Sequence, residues 1–158
     1  MAPKSVKVAI ITVSDTRTMN SDDNARIIKN LLEKEGHRTV KQSICVDEPF
    51  LLNRELDDSL DAGVDAIIIN GGTGIAPRDI TIETVGLRIE KKIDGFGELF
   101  RQLSYQDIGS PAMLSRAVAG TFAGVAVFCL PGSPEAVRLG MERLILPELS
   151  HLVGLMKR

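Results

Sequence analysis

The 158-residue chain has no basic surplus, no cysteine pair and no long apolar run, and each absence removes a class of function. Its 19 lysines and arginines are outnumbered by 21 acids, for a net charge of -2. A protein that grips nucleic acid through its phosphates needs a cationic face, so no nucleic-acid partner is expected. An acidic chain still binds phosphates, but through a local site rather than a general field. Cys45 and Cys129 lie far apart in strand-like runs and outside any CxxC pair. They read as small core residues in a reducing compartment, not as a disulfide framework or a zinc site. No run is long enough to span a membrane, and Met1 to Lys7 lacks the apolar core of a secretory signal. A cytoplasmic location without a membrane partner is the expectation. Aromatic residues are also scarce, at 4%.

What is present is ordinary for a globular protein. Hydrophobic residues make up 44% and charged residues 25%, near the globular average. The length suits one domain over residues 1–158, large enough to bury a substantial core. Val6 to Val13 is β-branched and almost continuously apolar, as a strand covered on both faces should be. Asp22 and Asp23 open a helix carrying Ile28, Leu31 and Leu32, which Gly36 closes. Thr39 to Val46 is a more mixed strand, nearer an edge. Pro49 begins a helix with Leu52, Leu56 and Leu60, and Asp65 to Asn70 is a short buried strand. Strand, helix, strand, helix, strand predicts a parallel sheet.

The second half is less regular. The pattern predicts helices over Ile80 to Ile89 and Gly95 to Tyr105, the latter with a core stripe of Phe96, Leu99, Phe100 and Leu103. Ala117 to Phe122 and Val125 to Leu130 flank a hairpin turn at Ala123-Gly124, so one strand must run antiparallel. Ser133 is a good N-cap and Pro134 a good first helical residue. The C-terminal helix is expected to bend near Pro147.

In open α/β sheets ligands bind beyond the carboxyl ends of the parallel strands. Four loops satisfy that condition: Ser14-Asp15, Asp47, Gly71 to Asp79, and Pro131 to Pro134. In the third, Gly71, Gly72 and Gly74 allow backbone amides to approach an anion that a Cβ would hold away. Thr73 adds a hydroxyl, Arg78 a cation, and Asp79 a carboxylate able to hold a magnesium ion between phosphates. The segment has neither the Lys-Ser/Thr ending of a Walker loop nor the spacing of a dinucleotide fingerprint. Asp79 and Asp47 are alternatively helix caps, and Ser14 and Asp15 alternatively turn formers. His37 and His151 have no partners at ligand spacing.

Val13-Ser14-Asp15, Gly71-Gly72-Thr73-Gly74 with Arg78-Asp79, Asp94-Gly95-Phe96-Gly97-Glu98, Met113-Leu114-Ser115-Arg116 and Leu130-Pro131-Gly132-Ser133-Pro134 together resemble the MogA/MoaB family. The likeness runs from about Val6 to Leu149 and keeps the motif order. It implies a three-layer α/β/α sandwich with a mostly parallel sheet, assembled as a trimer or a hexamer built from trimers. It also implies a molybdopterin adenylyltransferase: the terminal phosphate of molybdopterin attacks the α-phosphate of ATP, with Mg²⁺, and pyrophosphate leaves. The family's two functional aspartates map onto Asp47 and Asp79, as catalytic residues and metal ligands. The phosphate- and pterin-binding set would be Ser14, Asp15, Gly71, Gly72, Thr73, Gly74, Arg78, Pro131, Gly132 and Ser133. Ser104 and Ser115 are weaker candidates on the pterin side. Many members follow Arg-Asp with Thr-Pro; this chain has Thr81-Ile82, at a helix start where little effect on chemistry is expected. The family also admits an alternative, a non-catalytic molybdopterin-binding or scaffold protein that meets other proteins of the same pathway.

Overall fold

Strands that are apolar at nearly every position must be covered on both sides, and three such strands form the centre of this protein. They are β1 (Lys7–Val13), β3 (Ala66–Asn70) and β6 (Val125–Leu130). With β2 (Arg38–Cys45), β4 (Lys91–Lys92) and β5 (Val118–Phe122) they make one sheet in the order β2-β1-β3-β6-β5-β4. The structure is a computed structural model and describes residues 2–158. β1 pairs in parallel with β2 and β3, and β3 with β6, while β5 runs antiparallel to both its neighbours. The sheet is therefore mostly parallel with one antiparallel strand, and the mixed β2 lies at an edge, as its composition suggested.

Side chains alternate across the strands and divide the core in two. Val8, Ile10, Ala66, Ile68, Ala126 and Phe128 face a layer made by α1 (Asp23–Lys34), α4 (Asp94–Ile108), α5 (Pro134–Gly140) and α6 (Leu146–Met156). Ala9, Ile11, Ile67, Ile69, Val127 and Cys129 face α2 (Pro49–Asp61) and α3 (Thr81–Gly86), which contribute Leu52, Leu56 and Val85. Ile10, Ile11, Ile67 and Ile68 are fully buried, and each such side chain contributes about 1.5–3 kcal/mol. This is the expected three-layer sandwich. Both cysteines are buried in it, and burial raises both thiols to about 12. No helix among the described residues is long and apolar enough to cross a membrane.

Four details differ from the sequence reading. The helix expected over Ile80 to Ile89 covers only Thr81–Gly86, because the chain then turns to lay Lys91-Lys92 along β5. That two-residue strand is too short to show any alternation. A 3₁₀ turn occupies Ser110–Leu114. The C-terminal helix is interrupted at Met141–Ile145 by a π turn rather than at Pro147 itself. Pro147 has no N–H for the carbonyl four residues earlier, Arg143, so the ladder is disturbed one turn upstream. Of the expected stripe, Phe96 and Phe100 are core, whereas Leu99 is half-exposed.

Candidate functional site

β1, β2, β3 and β6 all end on the same edge, and the loops that follow them enclose a cleft of about 490 Å³. Ser14, Asp15, Asp47, Gly71, Gly72, Thr73, Gly74, Arg78, Asp79, Pro131 and Gly132 all line it. Eleven of the fourteen expected site residues are thus brought together. Ser104, Ser115 and Ser133 line a smaller adjoining hollow of about 240 Å³, which shares Thr73, Gly74 and Pro131 with the cleft.

The carboxylates are held by the fold rather than by helix capping. Glu48, not Asp47, is the N-cap of α2 and accepts from Phe50 N at 3.4 Å. The N-cap position of α3 is Ile80, with no side-chain cap, while Asp79 Oδ2 accepts from Ala76 N at 3.1 Å and closes its own loop. Asp15 Oδ1 accepts from Asp47 N at 3.0 Å, tying the first loop to the second. Arg78 contacts Asp15 directly and reaches Asp47 at 3.7 Å. Burial and the nearby Asp79 carboxylate hold Asp47 above the ordinary carboxylate range. Ser14 does act as a turn former: its hydroxyl accepts from Thr16 N and Arg17 N, each at 3.2 Å.

The glycine loop is bent by necessity. Gly71 and Gly72 have φ of +94° and +66°, a region that side chains rarely tolerate. A Cβ on Gly71 would overlap the Val13 carbonyl, and one on Gly72 would overlap Thr81 Oγ1. Gly132 is different: its φ is not positive, and a Cβ there would sit 3.4 Å from Gly71 Cα, in ordinary contact. β3 and β6 are neighbours, which is why these two loops meet.

A buried polar chain forms the floor. Asn24 Nδ2 donates to Asn70 Oδ1 at 3.0 Å and to Gly132 O at 2.7 Å, and Asn70 Nδ2 donates to Thr12 Oγ1 at 3.0 Å. Both Asn24 N–H groups are spent, so its amide cannot flip. Asn24 Oδ1 is left buried without a protein partner among the described residues, an acceptor that a ligand hydroxyl or amine would satisfy.

Residues 9–151 match the family described as "probable molybdopterin binding domain". The chain belongs to that family. The "Molybdenum cofactor biosynthesis protein B" of Bacillus subtilis (strain 168) is 48% identical over 154 residues, 96% of this chain and 91% of that protein. The protein of the same name from Halalkalibacterium halodurans is also 48% identical over 154 residues, 96% of this chain and 91% of its own length. A crystal structure of molybdenum cofactor biosynthesis protein B superposes with a TM-score of 0.90 at 46% identity, covering 100% of this chain and 99% of that one. The tungsten cofactor synthesizing protein MoaB of Pyrococcus furiosus gives 0.91 at 36% identity, covering 99% of this chain and 100% of that one. Molybdenum or tungsten cofactor biosynthesis is therefore the setting of this family member.

Several residues around the cleft escaped the sequence reading. Thr12, Asn24 and Asn70 read as strand and helix positions, and no local spacing links them. Thr81 read as a helix start, and Arg116 as part of a motif without a role. Ser133 caps α5, accepting from Ala136 N at 3.2 Å, and stands outside the cleft. Ser133→Ala is therefore expected to lower stability by about 1 kcal/mol and to leave nucleotide affinity unchanged. Melting curves and a titration with Mg·ATP check the two halves separately.

Proposed function

We propose that the chain is a molybdopterin adenylyltransferase, transferring the adenylyl group of ATP to the terminal phosphate of molybdopterin. The observation that carries this reading is the convergence of Asp47, Asp79, Arg78 and the glycine loop on one cleft that adjoins a second hollow. The cleft suits a polyphosphate, and the hollow holding Ser104 and Ser115 suits the pterin side. The names of the relatives support the pathway, and the site supports the reaction.

Joining two anions requires charge neutralisation and in-line placement more than a strong base. The cleft holds three carboxylates, Asp15, Asp47 and Asp79, against two guanidinium groups, Arg17 and Arg78. Two neighbouring carboxylates, one of them resisting ionisation, form a donor set that a divalent cation would relieve. Mg²⁺ commonly takes only one or two carboxylates and completes its shell with water and substrate phosphates. Asp47 and Asp79 would hold it, and its charge would offset that of the reacting phosphates. Free amides of the glycine loop would hold the triphosphate oxygens, and Arg78 would add a cation at the rim. In the reaction a pterin phosphate oxygen bonds to the α-phosphorus, and the bond to the bridging oxygen breaks. Pyrophosphate leaves with that electron pair. Release of pyrophosphate from Mg·ATP that requires added molybdopterin tests the reading; release that ignores the pterin would contradict it.

The raised pKa of Asp47 fixes the sign of the pH dependence. The ligand-free fold loses this group's contribution as pH rises through the raised value, whereas cation binding needs the ionised form. Mg·ATP affinity is expected to weaken on acidification at a higher pH than an unperturbed carboxylate would give. Titrations across pH check this against Asp47→Asn, which should flatten the profile.

Self-association and a cytoplasmic site of action belong to the same reading. Leu99 and Leu155 are about half-exposed beside an apolar hollow of about 340 Å³ between α4 and α6. Light scattering is expected to give a trimer or a multiple of three, and a monomer at micromolar concentration would contradict it.

A further inference from the structure

Four successive carbonyls of the glycine loop are all taken by donors from outside it. Thr81 Oγ1 donates to Gly71 O at 2.8 Å, and Thr81 N to Gly72 O at 2.9 Å. Arg116 Nε donates to Thr73 O at 3.2 Å, and its Nη2 donates to Gly74 O. Of the four amides, Gly71 N donates to Leu130 O at 3.0 Å. The amides of Gly72, Thr73 and Gly74 have no protein acceptor among the described residues. The loop is thus sorted by polarity, with its carbonyls tied to the protein and three consecutive amides left as donors. Such a row of N–H groups is an anion-binding nest only while the carbonyls are kept turned away.

We infer that Arg116, together with Thr81, is a positioning residue that locks the glycine loop in its anion-accepting orientation. The inference rests on the nucleotide reading above and deepens it. Arg116 does not itself line the cleft, and four of its five N–H groups already have partners, so it is placed to hold the loop rather than to meet the phosphate. It meets Thr73 O and Gly74 O on the loop side and both oxygens of Glu83 on α3. The Glu83 pair raises the Arg116 pKa and lowers that of Glu83. A fork is required for this: only a planar guanidinium presents separate N–H groups to two adjacent carbonyls and a carboxylate at once. Lysine keeps the charge but cannot make the set. Thr81 is fully buried at the first residue of α3 and does the same for Gly71 and Gly72 with its hydroxyl and its amide.

The test uses the full-length chain, Mg·ATP and adenosine, with affinities from calorimetry and a melting curve for every variant. Adenosine carries no phosphate, so it reports the remainder of the site. Arg116→Lys is expected to weaken Mg·ATP by roughly tenfold or more, the scale of lost charged hydrogen bonds, while adenosine stays within about twofold. Glu83→Gln, which loosens Arg116 without touching the loop, should give a smaller loss of the same kind. Thr81→Val should behave like Arg116→Lys and Thr81→Ser like the parent; this pair decides the matter if Arg116→Lys does not fold. Arg116→Lys that binds Mg·ATP like the parent overturns the clamp, as does an equal loss on both ligands, which would mark a general structural role. A parent that takes up no Mg·ATP would instead overturn the nucleotide reading, and the clamp as a phosphate device with it.

Discussion

Asp79→Asn is expected to lower adenylyl transfer at least roughly a hundredfold, the usual cost of removing one electrostatic partner of a charged transition state. The fold should be unaffected. Asparagine keeps an oxygen for the Ala76 N–H that Asp79 now receives at 3.1 Å, and α3 does not use the side chain as a cap. What disappears is one negative charge facing the cleft. The signature is a drop in turnover with an unchanged melting temperature. Asp47→Asn should follow it, because Asp47 also escapes a capping role and lies in the field of Asp79. Normal turnover in Asp79→Asn would remove it from the metal-binding pair. A fall in melting temperature with normal turnover would return it to a loop-forming role.

The second large effect separates the two glycine loops. Replacing Gly72 with valine is expected to damage the fold itself: its φ of +66° is unfavourable for any side chain, and the new Cβ overlaps Thr81 Oγ1. A left-handed residue costs about 1–2 kcal/mol, and the overlap adds about 1–3 kcal/mol. Gly72→Val therefore cannot report on ligand binding alone. Gly132→Val can. Its backbone tolerates a side chain, and the added Cβ sits in ordinary contact 3.4 Å from Gly71 Cα. The isopropyl group lies at the cleft wall, where it would block close approach of a phosphate or a base. The expected result is a near-parental melting curve with a severe loss of Mg·ATP affinity. Parental affinity in Gly132→Val would confine the nucleotide to the Gly71–Gly74 loop and end the case for a shared cleft.

These two loops also mark how much of the site was legible in the sequence. The apolar runs Val6 to Val13 and Asp65 to Asn70 read directly as buried strands, because local composition reports burial, while Val125 to Leu130 reads as one arm of a hairpin and lies at the centre beside β3. Parallel order then placed Ser14-Asp15, Asp47, Gly71 to Asp79 and Pro131 to Pro134 on one edge, and of the last loop Pro131 and Gly132 line the cleft. The residues that hold those loops were not legible. Arg116 lies 43 residues from Thr73, and Asn24 lies 108 from Gly132; such contacts have no period and no spacing. Lys91-Lys92 forms a strand only because β5 offers an edge to it. The alternative role of Asp47 as a cap of α2 falls to Glu48, one residue on, which leaves the Asp47 carboxylate facing the cleft.

The most direct test of the account follows the α-phosphorus of ATP. The full-length protein is mixed with molybdopterin, Mg²⁺ and ATP labelled at the α-phosphate, and the products are separated. The account predicts that the label joins the pterin in one adenylyl group for each pyrophosphate released, and that both vanish in Asp79→Asn. Pterin that binds but never acquires label, with intact ATP recovered, would make this family member a molybdopterin-binding protein without adenylyl transfer.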